Sequence, residues 1–182
     1  MVNIQIFGCL LAAWLTSCTD NPLKIRPERK SELSFVVHGS EALWKSNNVQ
    51  LTAGPSFIRL VGNPAQPYTF RRYFFNAEGI TTDNQRFVLM VYFDTSNEID
   101  LRNSYSTNYS SKGGLNQITL LVQRDGVYES MELCPATYAF FEINRQSKTE
   151  KLISGEFSGS LCLIGFLNPV QILQASFRDV SY

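Results

Sequence analysis

Four cysteines and one histidine are the residues of this 182-residue chain best suited to nucleophilic or metal chemistry, and their spacing excludes most of it. Any Ser/His/Asp or Cys/His site would have to use His38. That residue stands at a predicted strand end before Gly39, and no G-x-S-x-G, H-E-x-x-H or paired Cys/His spacing occurs anywhere. It reads as a turn histidine, bonded locally or solvated, and a zinc site is equally unsupported. Acidic residues gather in Asp94-Thr95-Ser96-Asn97-Glu98-Ile99-Asp100, whose alternate oxygens suit calcium, yet the stretch lacks the sixth-position glycine of an EF-hand and reads as a polar loop. No two carboxylates single themselves out as a glycosidase pair. Asn108-Tyr109-Ser110 fits a glycosylation sequon, a triplet common by chance. The expectation is a protein with no cofactor, no metal and no catalytic residue: not an enzyme.

One thiol has a more specific setting. Residues 4–15 (IQIFGCLLAAWL) form an apolar run too short to span a bilayer as a helix but of the length of a signal-peptide core. It ends in Leu15-Thr16-Ser17-Cys18, which resembles the bacterial lipobox: an aliphatic residue, two small residues, then the cysteine that receives diacylglycerol. Small side chains let an extended backbone enter a peptidase at the membrane surface, and the Cys18 sulfur is the strong nucleophile beside the cut. Cleavage would make Cys18 the new N-terminus, and acylation of sulfur and amine together supplies the second chain that stable anchoring needs. Met1 to Gln5 carries no Lys or Arg, so the terminal amine alone provides the positive charge of the leader. The competing reading is a buried N-terminal element with an ordinary core cysteine.

The elements that follow must position whatever the protein presents. Residues 19–31 (TDNPLKIRPERKS) hold two prolines and a mixture of charges without an apolar period, and read as a flexible tether. Lys plus Arg and Asp plus Glu number 16 each, so no charge excess favours nucleic acid. With 44% hydrophobic residues, the remaining 32–182 suffices for one independent core. Strand signals run almost throughout: 33–37, 49–52, 57–61, 68–75, 86–93, 117–123, 127–133, 137–144, 151–163 and 170–182. Gly54-Pro55, Asn63-Pro64, Gly113-Gly114 and Asn168-Pro169 mark loops, and Asp125-Gly126 marks a hairpin. About ten closely spaced strands imply an all-β domain, an antiparallel β-sandwich or barrel-like fold, behind a leader (1–17) and a lipidated tether (18–31).

A hairpin from Cys134 to Cys162 is predicted at residue level. With paired residue numbers summing to 296, one face collects Thr137 with Gly159, Ala139 with Phe157, Phe141 with Gly155 and Ile143 with Ile153, and the other is mixed. The same register sets Cys134 opposite Cys162, within disulfide reach. Export to an oxidising compartment favours that bridge, which would add ~3 kcal/mol by restricting the unfolded chain; two reduced thiols are the alternative.

The aromatic run Tyr68, Phe70, Tyr73, Phe74 and Phe75 is the strongest ligand hint, since rings on a sheet face can stack on sugars. Parity divides it into Tyr68, Phe70 and Phe74 on one face and Tyr73 and Phe75, with Arg71, on the other. If the even set is core, Tyr73 and Phe75 form an exposed recognition strip. The alternative is edge rings packed under a loop.

From the tether onward, the order of motifs resembles a family of small Bacteroidetes lipoproteins whose domain has no assigned function. Phe35-Val36-Val37-His38-Gly39 with Trp44 is similar to that family's opening strand, turn and tryptophan. Tyr105-Ser106-Thr107 before a Gly-containing loop and Ile118-Thr119-Leu120, Ile153-Ser154-Gly155-Glu156-Phe157, and Val170, Ile172, Phe177 and Tyr182 at the close are similar to its later strands. The resemblance implies a β-sandwich or barrel-like module at the cell envelope and transfers no active-site residue. The resulting expectation is a non-catalytic module, lipid-anchored to the outer membrane on its periplasmic or surface face, that binds a glycan or an envelope protein. The runner-up is a small barrel carrying an apolar ligand.

Overall fold

Alternation of large apolar with polar residues sets the period of two throughout the domain, and in β1 (Glu32–Val37) it gives burial at every second position. The computed structural model describes residues 30–38, 41–63, 66–96, 100–163 and 169–182. The expected signal segment 1–17, Cys18 and all but the last two residues of the expected tether lie outside them, as do Gly39, Pro64, Asn168 and 97–99. The described chain is all-β. After β1 come β2 (Leu43–Leu60), β3 (Pro67–Thr81), β4 (Arg86–Thr95), β5 (Ser104–Ser106), β6 (Gly113–Arg124), β7 (Val127–Leu133), β8 (Phe140–Ser147), β9 (Leu152–Leu163) and β10 (Pro169–Ser181).

Their hydrogen bonding closes on itself in the order β1–β2–β3–β4–β6–β7–β9–β10 and back to β1. All of these ladders are antiparallel, with a single parallel bridge between Ser181 and Gln50. A closed ring leaves no bare sheet edge among its members, which suits a strand-rich chain exposed to solvent. The β8 strand adds to β9 over 152–158, below the short β7 ladder at 161–163, and β5 adds to β8.

The ring's interior is filled with aromatic side chains. Phe141 stacks on Phe93 and Phe177 with centroids 4.9 and 5.0 Å apart, and Phe75 meets Phe177 and Phe141 at 4.9 and 5.3 Å. Phe35, Trp44 and Phe87 continue the packing toward the β3–β4 turn. Tyr73 and Phe75 belong to this core, at 4% and 0% exposure, so the exposed strip expected of them does not exist. The parity was right and the choice of faces was reversed: β3 turns its odd residues 73, 75 and 77 inward.

Two other expectations change in physically informative ways. Gly54-Pro55 does not end a strand; the register between β2 and β3 slips between Ala53 and Ser56, so the pair forms a bulge inside one 18-residue strand. In the β8–β9 hairpin the partners are Phe141 with Phe157 and Ile143 with Gly155, two residues away from the predicted register. The shift preserves which residues face inward. Its cause is that Cys134 to Ala139 leaves the sheet in a turn, with Ala136 at φ 57° and the Thr137 hydroxyl donating to the Cys134 carbonyl at 2.8 Å. The Cys134–Cys162 disulfide is nevertheless present, with Cα atoms 5.0 Å apart. It joins the end of β7 to β9, where the Cys134 amide donates to the Ser160 carbonyl and Cys162 pairs with Glu132. The Asp125-Gly126 hairpin is as predicted, with both turn residues at positive φ.

Candidate functional site

On the outer face of the ring, strand register lines up Arg72 of β3, Asp94 of β4 and Gly114 of β6. Asp94 is wholly buried although it points away from the barrel interior, because the 107–112 loop folds back over it. A carboxylate removed from water needs donors, and three surround this one. Arg72 donates through Nε at 2.9 Å and through Nη2 at 3.3 Å, and the Tyr109 hydroxyl donates at 2.6 Å. The Asp94 hydrogen bonds and charge raise the Arg72 guanidinium further above its ordinary value. Tyr109 is likewise pushed well above the usual phenol range, first by burial and then by its bond to the Asp94 anion, with Arg59 and Arg72 opposing.

Gly114 is the seat for the Tyr109 ring: a Cβ there would lie 2.6 Å from Tyr109 Cγ. From the other side the Arg59 guanidinium stacks 3.7 Å from the ring centroid, and Phe70 packs against the ring edge. A second bulge completes the arrangement. Tyr92 pairs with Gln117 and Phe93 with Leu115, so Asn116 is the extra residue of β6, and its side chain meets the Tyr109 hydroxyl. It is the Asn116 carbonyl oxygen that faces this hydroxyl, so Asp94 and Asn116 compete for the single phenolic proton, and the Asn116 amide nitrogen is buried without a hydrogen-bond partner among the described residues.

This locked row forms one side of an open groove of about 730 Å³ on the barrel flank. Leu115, Asn116 and Gln117 make its floor, Arg59 and Tyr109 one wall, and the Glu132–Tyr138 segment, held by the disulfide, the other. Tyr138 stands on that second wall with 64% of its surface exposed. Amides, hydroxyls, one carboxylate and an exposed ring are a set for recognising a polar ligand by hydrogen bonds and stacking. Asp94 itself is wholly buried with both carboxylate oxygens engaged by Arg72 and Tyr109, so it is positioned to hold the wall, not to take a proton from a ligand.

The residues singled out in the sequence fall elsewhere. His38 lies exposed after β1, by the end of the barrel that carries the β3–β4 turn, whereas Asp94 closes the opposite end of β4. Within the acidic stretch, Asp94 is taken by Arg72 and Tyr109, and Asp100 pairs with Arg102 at 3.3 Å, which holds its carboxyl below the ordinary range. Among the described residues no group of three His, Cys, Asp or Glu could hold a metal ion. Of the predicted site residues, only the disulfide pair borders the groove, through Cys134. Arg59, Arg72, Tyr109 and Asn116 were missed as site residues, and Asp94 was read only as the start of a polar loop. Their signal was an aspartate directly after an apolar strand together with an arginine inside an aromatic one, the mark of a desolvated ion pair. No family model, curated protein or solved structure matches the chain.

Proposed function

We propose that this chain is a lipoprotein of the bacterial outer membrane, anchored through Cys18, whose barrel serves as a non-catalytic binding module with the flank groove as its site. The lipobox-like Leu15-Thr16-Ser17-Cys18, the tether and the resemblance to Bacteroidetes envelope lipoproteins support the location. The observation that carries the binding role is the groove itself, whose two walls are fixed independently, one by the Arg72–Asp94–Tyr109 lock and the other by the Cys134–Cys162 bridge. Pre-ordered walls lower the entropy cost of binding. The ligand class is polar and elongated, a glycan segment in the first place, with Tyr138 as stacking platform and Asn108 and Gln117 as hydrogen-bonding groups. The aromatic filling of the barrel favours a surface site over the lipid-carrier reading, because rings occupy the volume a carried ligand would need.

Two measurements test this. Labelled palmitate should be incorporated by the wild-type chain and lost in Cys18→Ala; an unlabelled wild type refutes the anchor. Calorimetric titration with short neutral and N-acetylated oligosaccharides should detect binding that weakens about tenfold in Tyr138→Ala, the loss of ~1.4 kcal/mol of ring contact. Titrations in which no oligosaccharide binds, or in which Tyr138→Ala binds as wild type does, refute the groove.

A further inference from the structure

The β2–β3 hairpin stays paired past the end of β4. Its last ladder pair shared with β4 is Arg71–Thr95, yet β2 and β3 continue from Ser56–Arg71 out to Leu60–Pro67. The extension carries a residue of β2 over the 107–112 loop, although β3 and β4 lie between β2 and β6 in the sheet. Rings and guanidinium groups alternate to hold it there. The Arg72 guanidinium stands 5.4 Å from the Phe57 centroid, Phe57 stacks on Phe70 at 6.1 Å, Phe70 meets Tyr109 nearly at right angles at 6.4 Å, and Arg59 caps Tyr109 at 3.7 Å. Because Tyr109 is itself seated on Gly114 and tied to Asp94, the Arg59 guanidinium has a fixed platform beneath it. Stacking uses the flat face of a guanidinium and leaves its fork of N–H donors in the guanidinium plane.

That fork is not engaged: among the described residues, no hydrogen bond or ion pair takes the Arg59 N–H groups. Arg72 and Asp94 cancel each other, so the charge left over in the row is that of Arg59, exposed on the groove wall. Among the described residues it is the one cation that lines the groove. The opposite wall carries Glu132 of β7, exposed and likewise without an ion pair among the described residues. We propose that the groove selects acidic glycans, those bearing a uronic or sialic carboxylate, with Arg59 taking the carboxylate on its fork. A planar carboxylate matches two parallel N–H donors held by a stack, and Glu132 repels the same group, so the acidic end of the ligand lies toward the β2–β3 wall. Asn108, Gln117 and the Tyr138 ring then meet the neutral remainder. This inference rests on the groove being a glycan site and names which glycans it takes.

The test is calorimetric titration of the full chain at low salt, pairing each neutral oligosaccharide with its acidic counterpart: gluco- with glucuronic, galacto- with galacturonic, lactose with sialyllactose. In the tightest-binding pair the acid should bind about tenfold more strongly, the low end for a hydrogen-bonded charge pair because Arg59 is exposed, and the preference should shrink as salt is added. In Arg59→Gln the acid should fall to within about twofold of the neutral sugar while neutral binding holds, and Glu132→Gln should strengthen the acid alone by about twofold. Neutral and acidic members that bind alike, or an acid preference that survives Arg59→Gln, overturn the proposal and leave the groove standing. An Arg59→Gln variant that loses neutral binding as well assigns Arg59 to holding Tyr109 and overturns it too. Acid binding that needs Arg59 but not Tyr138 keeps the anion site and discards the glycan groove, whereas absence of binding in every pair overturns both.

Discussion

Replacing Tyr109 by Phe removes one oxygen from the lock and leaves the ring on Gly114 beneath Arg59. The hydroxyl donates at 2.6 Å to a carboxylate with no exposure to solvent, and hydrogen bonds to charged groups contribute roughly 1.5–3 kcal/mol. Asp94 keeps both bonds from Arg72, and the edge of the Tyr109 ring reaches water, so the lower part of that range applies, about 2 kcal/mol. For a domain of this size that is a fall in Tm of roughly 4–8 °C. Urea unfolding of the oxidised protein should show a lower midpoint with an unchanged slope.

A second arm of the same experiment raises the pH. The phenols of Tyr105 and Tyr109 are both held above the ordinary value of 10.0, chiefly by burial. A folded-state value above the unfolded one means that their contribution is intact below pH 10 and is lost as pH rises from there toward the folded values, because the unfolded chain gives up these protons first. Each phenol adds up to about 1.4 kcal/mol per pH unit to the alkaline slope, less for Tyr109 because of its solvent-facing edge. Tyr109→Phe should therefore be less steeply destabilised above pH 10 than wild type. Stability within about 0.5 kcal/mol of wild type, with an unaltered alkaline slope, would refute the reasoning that the phenol desolvates and holds Asp94.

Asp94→Ala strands the Arg72 guanidinium against the 107–112 loop and should cost ~3 kcal/mol, read by the same urea titration; a smaller loss than Tyr109→Phe would contradict the bidentate pair as the centre of the lock. Reduction of Cys134–Cys162, 28 residues apart, should lower stability by ~3.5 kcal/mol and raise hydrogen exchange selectively over 133–139, the groove wall. Gly155→Ala brings a Cβ onto the Glu142 carbonyl and within 2.7 Å of Phe177 Cζ, and should destabilise by ~3 kcal/mol or prevent folding, whereas Gly126→Ala at the open turn keeps the core intact.

Much of the fold was legible because burial in a two-layered strand pattern depends on parity, and parity survives errors of register. The β8–β9 hairpin shows this: a two-residue slide, followed by a bulge at Asn144 that pairs Ile153 with Gln146, left Phe141, Ile143, Ile153 and Phe157 facing inward and moved every partner. The disulfide was predicted correctly for the same reason, although the geometry joining its halves is a turn leaving β7, not a hairpin rung. Bulges are what the sequence hid. Gly54-Pro55 has the composition of a turn, and only the continuing ladder from Ser56 to Leu60 makes it a kink within one strand. Asn116 has no local signature as an extra residue, since its role exists only relative to Tyr92 and Phe93 on the neighbouring strand. The assignment of faces in Tyr68 to Phe75 failed because rings cover both: Phe70 is as buried as Phe75, one beneath Tyr109 outside the barrel and the other within it.

The groove as a binding site is tested most directly by mapping backbone amide shifts of the isotopically labelled protein during titration with oligosaccharides. Saturable shifts should cluster on residues 107–117 and 132–138 and need about tenfold more ligand to reach the same extent in Tyr138→Ala. A map that leaves those two segments unmoved while the ligand binds elsewhere, or no saturable shift at all, would contradict the assignment.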